Sequence, residues 1–243
     1  MRAHDVRALL MGGQACILYG AAEFSRDTDF AVLASTRNLA RLRSALVDLD
    51  AHVIAVPPFD ADYLRRGHAV HFRAARPEVA GLRIDVMTKM RGVDGFAKLW
   101  ARRTTVDLED GRCEVMALPD LVKAKKTQRD KDWPMIRRLV EASWFEAGAR
   151  PARARIDFWL RELRTPELLL EAARRWPSAC TRARRQRPLL KHAAGGHEAQ
   201  LVAALTAEEW TERQADAAYW KPLKEELERL RHGLRRRRPP AGR

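Results

Sequence analysis

The chain has no long apolar run: none reaches the roughly 20 residues that a bilayer demands of a spanning helix. Its opening, MRAHDVRALLMGG, holds too short an apolar stretch for a secretory signal, and no clear cleavage site follows. Both absences predict a cytoplasmic protein that crosses no membrane. Cysteine is scarce. Cys16, Cys113 and Cys180 lie far apart and form no CxxC pair. That argues for reduced thiols and against a disulfide frame or a zinc knuckle. Histidine clusters are lacking too. Of seven histidines only His68 and His71 are close, in a strand-like HAVHF where a spacing of three puts them on opposite faces. No internal repeat is visible.

What is present is apolar residue and positive charge. Hydrophobic residues make up 46% of the 243, enough for a sizeable core in one large domain or two small ones. Lys and Arg number 46 against 32 Asp and Glu, a net charge of +14. Such a balance favours contact with polyanions such as tRNA or other nucleic acid, although a chain this free with Arg and Ala also reaches it through composition alone.

Strand and helix signals alternate over the first part. Val6–Met11 reads as a strand ending at Gly12-Gly13, Gln14–Ala22 as a short helix and Thr28–Leu33 as a strand. Thr36–Leu49 carries Leu39, Leu42, Leu46 and Leu49 at helical spacing. His52–Val56 reads as a strand, Ala69–Ala74 and Leu82–Thr88 as paired strands, and Val93–Arg102 as a helix. Thr104–Leu108 and Cys113–Ala117 flank Glu-Asp-Gly, a hairpin signal. Leu118–Thr127 and Asp130–Ala142 read as helices. After about Gly148 only helices are expected, at Ile156–Leu163, Pro166–Trp176, Glu198–Leu205 and Ala207–Arg231. Trp159, Trp176, Trp210 and Trp220 are expected to pack between them. The organisation expected is a first domain over 1–148, a helical region over 149–232 and a disordered basic tail over 233–243.

The chemistry gathers on aspartates. In SRDTDFAVL, Asp27 and Asp29 are two apart on a strand and face one way, while Phe30 and Val32 face the core. Asp85 sits in the strand LRIDVMT with Ile84 and Val86 on the opposite face. Carboxylates this close repel one another unless a cation lies among them. Magnesium suits the task, because it accepts carboxylate oxygens together with substrate phosphates. Two such ions can activate an attacking hydroxyl and stabilise a leaving pyrophosphate. Gly12 and Gly13 end a strand before a helix, where a backbone can approach a phosphate and the helix can offer N–H groups to it. An Asp-x-Asp by itself fits solvated turn residues as well. The glycine pair and Asp85 tip the balance. Lys123, Lys125, Lys126, Arg129 and Lys131 fit a solvated helix face as readily as a phosphate contact.

Gly12-Gly13-x-Ala15, then Gly20, then Ser25-x-Asp27-x-Asp29 and an apolar run, resembles the DNA polymerase β-type nucleotidyltransferase superfamily. The likeness is nearest to the bacterial abortive-infection toxin and minimal nucleotidyltransferase kind. The block LPDLVKAKKTQRDKDW is similar to a helical segment of that group, and the resemblance covers about residues 6–142. It implies an α/β (α+β) nucleotidyltransferase fold, a mixed sheet flanked by helices, followed by a helical C-terminal region. It implies an enzyme that moves a nucleoside monophosphate from an NTP to a hydroxyl, with Mg²⁺ or Mn²⁺. Asp27, Asp29 and Asp85 would be catalytic and metal-binding, and Asp85 would help deprotonate the acceptor. Gly12, Gly13, Ser25, Lys125, Arg129 and Lys131 would contact the nucleotide, with Asp132 orienting the basic groups. The acceptor could be an RNA end such as tRNA, a protein side chain or a small molecule, and the likeness suggests a toxin-like role. Glu23 stands where relatives often carry Arg, and Ser25 where they carry Thr. The rival expectation is a catalytically silent fold that binds nucleic acid or a protein partner.

Overall fold

The computed structural model describes residues 1–109 and 111–237. The chain forms two compact units. Met1–Leu18, Glu23–Ala124 and the chain from Ala218 onward make the first; Tyr19–Ala22 and Lys125–Ala217 make the second.

The first unit is built on a mixed sheet. Its strands are β1 (Ala8–Met11), β2 (Asp27–Val32), β3 (His52–Val53), β4 (Val70–Arg73), β5 (Arg83–Met87), β6 (Thr104–Leu108) and β7 (Gly111–Val115), in the order β3-β4-β5-β2-β1-β7-β6. β2 runs parallel to β5 and antiparallel to β1, and β4 runs antiparallel to β5. β6 and β7 form the expected hairpin; the middle residue of its turn, 110, lies outside the described residues.

Side chains alternate across the pleat, and the sequence uses the alternation strictly. Ala8, Val32, Val70, Phe72, Ile84 and Val86 share one face and a hydrophobic core. That core is closed by Leu39, Leu42, Ala45 and Leu46 of α2 (Thr36–Asp48) and by Leu64 of α3 (Ala61–Arg66). Ser35 caps α2 by accepting from the Asn38 amide at 3.3 Å. Asn38 is itself buried and tied to Arg7 and Leu33. The opposite positions, Asp27, Asp29, His71, Arg83 and Asp85, share the other face. α1 (Gly12–Leu18), α4 (Phe96–Arg102) and α5 (Leu118–Ala124) complete the unit with the later part of α11 (Glu198–Arg237).

The second unit is helical: α6 (Asp132–Phe145), α7 (Arg153–Glu162), α8 (Pro166–Arg175), α9 (Pro177–Ala183), α10 (Leu190–Ala194) and the beginning of α11. Trp144 packs against Trp159 and Trp176 with ring centres 4.9 and 5.7 Å apart. Glu208 of α11 is clamped by Arg187 and Arg164, at 2.8 and 2.9 Å.

Several expectations are corrected here. The division falls at 124/125, not 148, because Trp144 of α6 packs into the tryptophan cluster of the later helices. The two helices expected over 198–231 are one, α11, with Pro222 inside it. It reaches Arg237, so residues 233–237 are helical rather than tail; 238–243 lie outside the described residues. Trp210 is 63% exposed, not packed. α3, α9 and α10 were not anticipated. Among the described residues, no helix is long and apolar enough to cross a membrane.

Candidate active site

The site face of the sheet is set by register. β2 and β5 pair so that Asp29 lies beside Asp85 and Asp27 beside Arg83. β4 and β5 pair so that His71 lies beside Asp85. The three aspartates expected to meet therefore do lie on neighbouring strands with their side chains on one face.

The glycine pair is the start of α1, and each glycine makes room for a site residue. Gly12 has a φ of 66°, and a Cβ there would stand 1.8 Å from Asp29 Oδ2. A Cβ on Gly13 would stand 2.2 Å from Ser25 Oγ. The motif thus works as a packed set: glycines that lack a side chain, and behind them a hydroxyl and a carboxylate. Ser25 donates to the Asp27 carbonyl at 3.1 Å, and Gln14 donates to the Ser25 carbonyl at 3.2 Å. These bonds fix the loop that leads into the carboxylate pair.

Asp85 is the most constrained of the three carboxylates. It is 9% exposed. Arg83 grips it through both oxygens, Nε to Oδ1 and Nη2 to Oδ2, each at 3.0 Å. His71 Nδ1 lies 2.8 Å from Oδ1. Burial pushes the Asp85 carboxyl up, but the hydrogen bonds and charges of His71 and Arg83 outweigh it and hold the group below the ordinary carboxylate range. Arg83 is in turn kept protonated by its bonds to Asp85 and by the charges of Asp27 and Asp29.

Neither His71 nor Arg83 was among the residues expected at the site. The signal for Arg83 lay in the sequence: two residues before Asp85 on a strand is the same face. His71 had no such signal, because the register of β4 on β5 brings it to Asp85.

The donor set bears on the metal. No group of three His, Cys, Asp or Glu side chains among the described residues is placed to hold an ion. Asp85 is the reason the expected triplet falls short, since both its oxygens are occupied. Asp27 and Asp29 remain as a same-face pair, and magnesium bound through one or two carboxylates plus substrate phosphates needs no more protein ligands than that.

No family model matches the chain, and no curated protein does. Among solved structures it is similar to an antigenic nucleotidyltransferase-like protein from Paracoccidioides brasiliensis, at 15% identity and a TM-score of 0.37 over 79% of this chain and 85% of that one. Fold alone does not fix chemistry, which is decided by side chains at a site.

The expected basic contacts belong to the second unit. Lys125 and Arg129 gather on the buried Asp132, at 3.3 and 2.7 Å, and Thr127 donates to it at 2.5 Å. Burial raises the Asp132 carboxyl, and Lys125, Thr127 and Arg129 more than reverse that, leaving it below its usual range. Asp132 orients these groups, as expected. Lys131 is exposed and makes no ion pair among the described residues.

Proposed function

We propose that the protein is a metal-dependent nucleotidyltransferase that moves a nucleoside monophosphate from an NTP to a hydroxyl acceptor. One observation carries this reading: the in-register carboxylates of Asp27, Asp29 and Asp85 on one sheet face, with Gly12 cleared of a side chain against Asp29. Nothing in core packing calls for three acidic side chains there, and their repulsion is a cost that function offsets.

In the reaction the acceptor oxygen bonds to the α-phosphorus, the bond from that phosphorus to the bridging oxygen breaks, and pyrophosphate leaves. Asp27 and Asp29 would hold Mg²⁺ or Mn²⁺ arriving with the triphosphate. When bound, that ion neutralises the phosphates and eases departure of pyrophosphate. Asp85 holds Arg83 toward the same face. Gly12, Gly13 and Ser25 keep the carboxylate pair in place. Lys125, Arg129 and Lys131 are proposed as phosphate or acceptor contacts. RNA, protein or small-molecule acceptors all satisfy the chemistry, and the toxin-like role belongs to the same proposal.

The engagement of Asp85 by Arg83 favours a second reading, a silent fold that binds a polyanionic or protein partner through its positive surface. Incubation with Mg²⁺ and each α-³²P-labelled NTP, with total tRNA or cell extract, separates the two. Label should move to an acceptor with the native protein and not with Asp27→Ala/Asp29→Ala. Absence of label and of Mg²⁺-dependent NTP binding would leave the silent fold standing.

A further inference from the structure

The carboxylate face already contains a cation. Arg83 stands beside Asp27 in the strand register, binds Asp85 through two nitrogens and lies 3.2 Å from His71 through Nη2. A guanidinium does not lose its proton in a protein and matches a carboxylate through two parallel bonds. Its third nitrogen, Nη1, makes no hydrogen bond among the described residues, and the side chain is 38% exposed. Arg83 is therefore fixed by two atoms and has one donor uncommitted.

We propose that Arg83 is the resident cation of this site, occupying the third carboxylate in place of a second divalent ion, so that the protein takes one ion with its nucleotide and not two. The inference rests on the nucleotidyltransferase reading for the nucleotide, and on the geometry alone for Arg83. A divalent ion at Asp85 would have to break two bonds to a guanidinium and lie close to a positive charge. A triphosphate meets no such conflict: one ion on Asp27 and Asp29 and the Nη1 donor of Arg83 offer it two separate positive contacts. His71 supports the arrangement by filling the remaining approach to Asp85 Oδ1.

The test is Mn²⁺ stoichiometry, by electron paramagnetic resonance titration with a saturating non-hydrolysable NTP analogue. It compares the native protein, Arg83→Ala, Asp85→Asn and the double variant, each checked by thermal melting. The native protein should hold one ion per chain, and Asp85→Asn should leave its affinity unchanged. Arg83→Ala should gain a second ion that the double variant loses. Arg83→Gln, which keeps a neutral donor for Asp85, replaces Arg83→Ala if the latter does not melt cooperatively. Two ions on the native protein, one of them lost in Asp85→Asn, would overturn the proposal and leave the transferase reading intact. One ion on both the native protein and Arg83→Ala would also overturn it. No ion on the native protein but one on Arg83→Ala, lost with Asp85, would uphold Arg83 as the cation while the Asp27–Asp29 metal reading fails. No ion on any form would sink both.

Discussion

At Gly12 a single hydrogen separates a working arrangement from a collision. Alanine there would place its Cβ 1.8 Å from Asp29 Oδ2 in a backbone region that L residues rarely adopt. Gly12→Ala should therefore destabilise the protein by about 1–3 kcal/mol, read from urea denaturation. It should also abolish label transfer, because Asp29 must move. Stability loss without loss of transfer would mean that Asp29 is not needed where it stands. The same residue scale shows what could be read in advance. Asp27, Asp29 and Asp85 were legible because strand alternation sorts acidic from apolar positions without any knowledge of partners. Arg83 obeyed the same alternation and was passed over, since the motif directs attention to acids. His71 was out of reach, because strand register is a tertiary fact.

At the scale of elements, α2 shows how a buried polar residue joins helix to sheet. Asn38 is 3% exposed, accepts from the Arg7 amide at 2.7 Å, and donates to the Arg7 and Leu33 carbonyls at 3.1 and 2.9 Å. Asn38→Ala would leave these backbone groups without partners and should cost about 2–4 kcal/mol, seen as a lower urea midpoint with an unchanged slope. A change in slope would show instead that the unfolding unit itself had altered. The helical period made α2 easy to recognise, as period two did for β2, β4 and β5. α9 and α10 were missed because helices of seven and five residues are marginal alone and exist through packing. The unit boundary was misplaced for a related reason: a composition shift near Gly148 marks where strand signals stop, whereas Trp144 on Trp159 decides which helices belong together.

At the scale of the whole molecule, a chain of net charge +14 anchors buried carboxylates in both units. Burial raises Asp85, Asp132 and Glu208, and in each case the basic partners more than compensate, so all three lie below their ordinary range. A carboxyl whose folded pKa is lowered binds its proton more readily in the unfolded chain. Its contribution to stability is complete above the unfolded value, near 4, and disappears as pH falls through the lowered folded value, at about 1.4 kcal/mol for each unit of separation. The urea midpoint should accordingly be level from about pH 8 to 5 and fall below about pH 4. Asp132→Asn should start lower at neutral pH and fall less steeply in acid, since it has already lost one of these terms. A decline that began near pH 6 would assign the acid sensitivity to histidines. The candidates would be His71 against Asp85 and His68, whose Nε2 lies 2.7 Å from Glu226 Oε2. Acid denaturation then distinguishes a fold held by carboxylates under arginine and lysine from one held by its imidazoles.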